Sequence, residues 1–343
     1  MKTNNKRHLF NVLICVSILL SFTLGCKQIA EQVAKKSSGG GNTYPKVTPT
    51  DKTTGSTGAE QGLSKKTNLY ISDCFNKYSN TVINSYRRYQ SWVKDIEQGP
   101  TGKESIIYGL YDISGDGNDC GASLTKAKDM QPSMPEIEGI SDKYIVSLKE
   151  VVSQVKAIYP YYNQEDYKDD KFQRGKEAHP TLLKAFKDFE QINKQFAAEI
   201  DKLEDQVAQQ NLDLYKDNPN KRFEYLITDL GVKAKKILRI AQKTEFSQIK
   251  ADDLQPLIDD FEKCNTDTKT AGSKNSMASI YFSASDDFLK ASKEMMRRIR
   301  DKKAFNDFEK RQMGTFGGWT VEGSPDKIIH SYNDMIQRRS FMR

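Results

Sequence analysis

Apolar residues recur every three or four positions through most of the chain beyond about residue 68, and that spacing predicts helices. The first stripe carries Ile71, Phe75, Tyr78, Val82, Tyr86, Tyr89, Val93 and Ile96, which a 3.6-residue period stacks on one face for about seven turns. Gly99-Pro100 is its predicted stop, through the left-handed preference of glycine and the missing N–H of proline. The next stretch, of about 35 residues, has no helical period. Within it GPTGKESIIYGLYDISGDGNDCG, rich in Gly and turn-forming Asp and Asn, reads as a long ordered loop.

Helical spacing returns at Tyr144, Leu148, Val151, Val155, Ile158 and Tyr162. After a Tyr- and Asp-rich turn it resumes at Leu182, Phe186, Phe189, Ile192, Phe196, Ile200, Leu203 and Val207, with Pro180 near the expected helix start. Further stripes are Phe223, Leu226, Leu230, Ala234, Ile237 and Ala241, then the shorter Leu254, Leu257, Ile258 and Phe261. A Gly/Ser/Asn break at 271–276 precedes Phe288, Met295, Met296 and Ile299, whose helix ends in the charged run RRIRDKK. Ser324 is placed to cap and Pro325 to open a last helix carrying Ile328, Ile329, Tyr332, Met335 and Ile336. No segment alternates at period two over several repeats. The expected fold is all-α: an elongated multi-helix bundle of about six to eight helices with one long Gly/Asp-rich ordered loop.

The N-terminal residues follow another pattern. Lys2, Lys6 and Arg7 precede a mostly apolar run from Leu9 to Leu24, about 16 residues, that ends at Gly25 and Cys26. A spanning helix needs about 20 apolar residues, so residues 1–25 read as a secretory signal cleaved after Gly25. Lipidation of Cys26 would then anchor the chain, because each buried acyl CH₂ contributes roughly 0.8 kcal/mol. Thr23-Leu24-Gly25 departs from the usual lipoprotein pattern, which has an aliphatic residue three before the cysteine and a small one two before. Position 28 is Gln and not the aspartate that retains lipoproteins in the inner membrane. The expectation is therefore an outer-membrane lipoprotein whose domain faces the periplasm. Residues 26–65, rich in Gly, Thr, Ser and Pro, lack the apolar side chains that offset chain ordering and are expected to be a disordered tether. Such a coil averages roughly 35 Å end to end and stretches to about 130 Å. Residues 66–343 are the expected helical domain.

Composition narrows the classes. Loss of residues 1–25 removes three basic residues and no acidic one from the 53 Lys+Arg and 46 Asp+Glu, leaving a net charge of about +4, which is not a nucleic-acid-binding balance. Of five cysteines, Cys15 leaves with the signal and Cys26 is acylated. Cys74, Cys120 and Cys264 remain, enough for at most one intramolecular disulfide in an oxidising compartment.

The chemical motifs are weak. GPTGKES would need glycine at Glu97 and Ser or Thr at Glu104 to be a phosphate loop. His179 and His330 have no HExxH or CxxC companion and read as surface or helix-end histidines, with no metal or cofactor implied. No GxSxG elbow supports a hydrolytic triad. Asp112, Ser114, Asp116 and Gly117 match part of a calcium loop, but Ser123 stands where a bidentate glutamate is required, so the stretch reads as an Asp/Gly turn. Tyr159, Tyr161, Tyr162 and Tyr167 read as packing with hydroxyls in water, and RRIRDKK as a solvated face.

GPTGKE from Gly99, IYGLYDIS from Ile107, YYNQEDYKDD from Tyr161, FQRGKEAHPTLLK from Phe172, RRIRDK from Arg297, and WTVEGSP followed by SYNDM resemble the YiiG-like lipoproteins. These are Gram-negative envelope proteins forming a domain-of-unknown-function family. The resemblance runs from about residue 69 to 343, strongest in 70–190 and 290–336. It implies a compartment and a fold class and carries over no catalytic residues. It includes cysteines corresponding to Cys74 and Cys120, while Cys264 falls in the weakly matching part. A Cys74–Cys120 disulfide is therefore expected, with Cys74–Cys264 and Cys120–Cys264 left open by the sequence.

Two functional readings follow. The first is a non-catalytic envelope lipoprotein that binds an envelope protein or cell-wall partner. The alternative is a periplasmic ligand binder or hydrolase with a site near the loop of residues 99–120, which would require Lys103, Glu104, Asp112 and Asp116 to converge in a concave site.

Overall fold

A computed structural model describes residues 58–242, 246–314, 317–339 and 342, and every regular element in them is helical. The expected signal, Cys26 and most of the expected tether lie outside the described residues. The chain divides into two compact units between residues 196 and 197, and each is built around its own aromatic and aliphatic core.

In the first unit α1 (Gly58–Tyr70) passes through a single π-helical segment, Ile71–Phe75, into α2 (Asn76–Trp92). Helix α3 (Asn118–Lys128), α4 (Pro135–Asn163) and the first part of α5 (Gln173–Tyr215) follow. The buried stripe Tyr70, Phe75, Tyr78, Val82, Tyr86 and Tyr89 meets Tyr144 of α4 and Phe186, Phe189 and Phe196 of α5. Tyr86 stacks on Phe186 at 4.7 Å, and Phe75 meets Phe196 edge-on at 5.7 Å, geometries that add specificity to area burial.

The first described helix starts at Gly58, inside the expected tether. The physical reason is Lys66, fully buried, whose ammonium donates to the carbonyls of Met130 and Pro132 at 3.0 and 2.7 Å and to Glu138 at 2.5 Å. Helix α2 also ends before the expected stop: Val93 is extended (ψ 111°), and Gly99-Pro100 lies beyond, in the loop. Helix α3 was not legible because its buried residues are only Cys120, Leu124 and Ala127, behind a Gly-Asp-Gly lead. Helix α5 starts at Gln173, so Pro180 lies inside it.

In the second unit, α6 (Arg222–Ala241), α7 (Ala251–Ala271), α8 (Ala278–Arg300) and α10 (Pro325–Arg339) form a four-helix core, with the short α9 (Asp307–Gln312) before α10. Helix α8 packs on α7 and α10, and α6 on the same two. Leu230, Ile237, Ile258, Phe261, Phe288, Met295, Tyr332 and Met335 fill the interior. Ser324 caps α10 by accepting from Lys327 N–H at 3.1 Å. The charged run RRIRDKK is not wholly solvated: Arg298 is buried, donates to Glu309 at 2.7 Å and lies over the Phe305 ring at 4.3 Å. No helix among the described residues is long and apolar enough to cross a membrane.

Candidate functional site

The loop between α2 and α3 is held by α2 itself. Ser85, Arg88 and Trp92 lie along one face of the helix, and each donates to a loop carbonyl between residues 108 and 111. Ser85 Oγ donates to Tyr111 O at 2.8 Å, Arg88 Nε to Tyr108 O at 2.6 Å and Trp92 Nε1 to Gly109 O at 2.9 Å. An extended segment fixed by its carbonyls has its side chains assigned to faces. Leu110 and Ile113 turn inward, whereas Ile106, Tyr108 and Tyr111 are exposed by 56, 48 and 49 %. Gly109 (φ +65°) is required at the close approach, since a Cβ there would lie 2.9 Å from Tyr162 Cβ.

Both ends of the segment are anchored. Cys120, in the first turn of α3, is bonded to Cys74 of the π-helical segment, with a Cα–Cα distance of 4.5 Å, while Cys264 is free and buried in the other unit. Beside this bond Asp119 accepts from the Tyr78 hydroxyl at 2.5 Å and pairs with Lys77. Burial and the Asp119 hydrogen bond push the Tyr78 phenol up to about 12. Beneath the loop, Trp92 meets Tyr162 at 5.4 Å, Tyr162 meets Tyr161 at 5.1 Å, and Tyr167 packs on Phe172 at 4.8 Å.

Those tyrosines are packed as expected, but the Tyr162 hydroxyl is shut off from water, while Tyr159 is half-buried with its hydroxyl beside Asn163 on the surface. Tyr161, Tyr162 and Tyr167 are buried, and Tyr161 donates to Asp170 at 2.8 Å. His179 is likewise an interior group and not a surface one: its Nδ1 lies 2.9 Å from the Tyr89 hydroxyl, and burial holds its pKa below the ordinary value. His330 is exposed on α10 and stacks on Trp319 at 4.9 Å.

The four residues of the alternative reading do not share hydrogen bonds or ion pairs among the described residues. Glu104 accepts from Thr101 N–H at 2.7 Å, Thr101 Oγ1 at 2.8 Å and Gly102 N–H at 2.8 Å. Against the upward push of burial, these donors hold its carboxyl below the usual range. Asp112 accepts from Ile113 N–H at 2.8 Å, and Asp116 from the N–H and side-chain amide of Asn118 at 2.9 and 2.6 Å. Lys103 is exposed. Each acid is thus spent on its own stretch of loop, Asp116 in an Asx-type turn. No group of three His, Cys, Asp or Glu placed to hold a metal occurs among the described residues.

The space beside the loop is a different one. An open groove of about 660 Å³ runs between α2 and the extended segment, lined by Asn84, Arg87, Arg88, Ser91, Tyr108 and Tyr111 among others. Arg88 lies over the Tyr111 ring at 4.4 Å. Sequence reasoning passed over Arg87 and Arg88 because they sit between stripe positions Tyr86 and Tyr89. The available signal was the pairing of basic residues on α2 with the aromatic residues of IYGLYDIS.

Comparison with known proteins bears out the family resemblance. The family described as "Protein of unknown function (DUF3829)" matches residues 61–340. The chain is similar to the uncharacterized protein YiiG of Escherichia coli (strain K12), 28 % identical over 356 residues that cover 98 % of this chain and all of that protein. No solved structure matches.

Proposed function

The chain belongs to the DUF3829 family, a family of unknown function, and we propose that it acts as a non-catalytic cell-envelope lipoprotein binding another envelope component. One observation carries this reading: the acids of the 99–120 loop are spent on their own turns, while the fixed backbone displays Ile106, Tyr108 and Tyr111 to solvent. A catalytic loop needs ionisable groups aimed at a common point. A recognition surface draws much of its binding energy from a few aromatic and arginine side chains near its centre. The Cys74–Cys120 disulfide points to an extracytoplasmic compartment, and the signal ending in Gly25-Cys26 supplies an outer-membrane anchor.

The anchor is tested by Cys26→Ala, which is expected to leave a soluble periplasmic or uncleaved form. A cleaved variant that still partitions into detergent like the wild type contradicts it. The binding role is tested by affinity purification of the cross-linked protein from intact envelopes. An envelope component should be recovered with the wild type and lost with Ile106→Ser/Tyr108→Ser/Tyr111→Ser. Recovery of the same component by both proteins, or of none by the wild type, would overturn it.

A further inference from the structure

The groove beside the loop is more specific than a general contact surface. Its lining includes two guanidinium groups and no carboxylate. Arg88 is positioned by its Nε bond to Tyr108 O and by stacking over Tyr111, and its terminal nitrogens make no hydrogen bond among the described residues. Those two NH₂ groups are therefore held as a fixed pair of donors. Arg87, the next residue on α2, has burial lowering its pKa and Glu190 acting in the opposite direction. Tyr108 and Tyr111 each expose about half their surface on a backbone clamped by Ser85, Arg88 and Trp92.

Rigid half-exposed phenol rings offer flat apolar faces with a polar rim, the surface that the C–H face of a pyranose covers. Paired guanidinium donors match the two oxygens of a carboxylate. The neutral donors and acceptors Asn84 and Ser91, with Thr81, suit hydroxyl and acetamido groups.

We infer that this groove binds a carboxylated saccharide of the cell wall, with Tyr108 and Tyr111 against sugar faces and Arg87 and Arg88 on the carboxylate. The inference rests on the reading of the protein as an envelope lipoprotein and names the chemistry of its partner. A cell-wall glycan carries N-acetylated sugar rings and pendant carboxylates together, the combination the lining presents for. An envelope protein, by contrast, would more naturally use Ile106, which does not line the groove.

The test uses the full chain in detergent micelles, titrated calorimetrically with soluble disaccharide-peptide fragments released from purified cell wall by a muramidase. One preparation keeps its carboxylates free and one has them amidated. The free-acid fragments should bind, and the amidated ones about tenfold more weakly. Tyr111→Ala should weaken binding about tenfold while leaving intact the backbone carbonyl that Ser85 holds. Arg88→Lys keeps the charge but loses the fork, and should weaken it by a similar factor; circular dichroism and melting curves confirm that both variants are folded. No binding by the wild type at about 1 mM, equal binding by Tyr111→Ala, or preference for a phosphorylated over a carboxylated saccharide would overturn the inference. If the wild type ignores the fragments yet still captures an envelope component through Ile106, Tyr108 and Tyr111, the glycan assignment falls and the binding role stands.

Discussion

Lys66 and Glu204 are ionisable side chains buried where a sequence reading expects solvent, and each makes a prediction. The Lys66 ammonium is the common partner of two carbonyls and of Glu138, whose carboxyl is pushed up by burial but held below the ordinary range by Lys66 and the Met134 N–H. Lys66→Met leaves those acceptors unpaired and should cost about 3–5 kcal/mol, the usual penalty for breaking a buried pair, measured as a shift in urea midpoint. Wild-type stability in that variant would show that residues 58–70 are not part of the fold. Glu204 is buried beside Lys235 at 3.2 Å, and Lys235 also reaches Asp201 and Asp205 at 2.7 and 2.9 Å. Arg239 bridges the same two aspartates, and the buried Tyr332 hydroxyl lies in the field of Glu204 and Asp201. Burial pushes the Glu204 carboxyl up to about 8 against the pull of Lys235. A carboxyl raised in the folded state contributes stability that is present below its unfolded pKa and lost as pH rises through the folded value. Between about pH 5 and pH 8 the wild type should therefore lose stability relative to Glu204→Gln. His179 has a lowered pKa and the opposite slope, but it is common to both proteins and cancels in the comparison. Parallel pH profiles would refute the assignment. None of this was legible in the sequence, where Lys66, Glu204, Lys235 and Arg298 look like ordinary polar positions. Their burial follows from neighbours distant in the chain, which a local period does not report.

At the scale of elements, stripes were readable where several large apolar residues repeat, and became unreadable where one polar contact or a few small residues do the work. Tyr144 to Tyr162 and Phe223 to Ala241 are helices because each turn adds another buried side chain. Helix α3 buries just three residues, and the buried face of α1 among the described residues is only Leu63, Lys66, Thr67 and Tyr70, two of them polar, so neither has an apolar stripe to read. The end of α2 at Trp92 follows from the reach of the indole to Gly109, a partner 17 residues away. The 99–120 loop was legible as an ordered Gly/Asp segment, but its outward Arg/Tyr groove was not, because the alternation that exposes Tyr108 and Tyr111 is imposed by α2. The clamp makes a prediction of its own. The Cys74–Cys120 bond closes a ring with a sequence separation of 46, and in the chain-entropy picture Cys74→Ser/Cys120→Ser should destabilise the protein by about 2–5 kcal/mol. Non-reducing peptide mapping of the periplasmic protein should show the 74–120 linked peptide with Cys264 as a free thiol. Three free thiols in protein made with an active oxidase would contradict the bond.

For the whole molecule, we propose an acyl anchor at Cys26 and a tether ahead of two helical units, the first of which carries the disulfide-clamped surface. The disulfide supports an extracytoplasmic protein, and the clamped display of Tyr108 and Tyr111 supports a binding role. The central claim is that this surface, and not exposed helix in general, meets the partner. It is tested most directly by placing a photo-cross-linking amino acid in turn at Tyr111 and at Val146, a residue of α4 in the same unit that is 70 % exposed. Irradiation of intact envelopes should give a discrete adduct from position 111 and none from position 146. Equal adducts at the two positions, or no adduct at 111, would contradict the account.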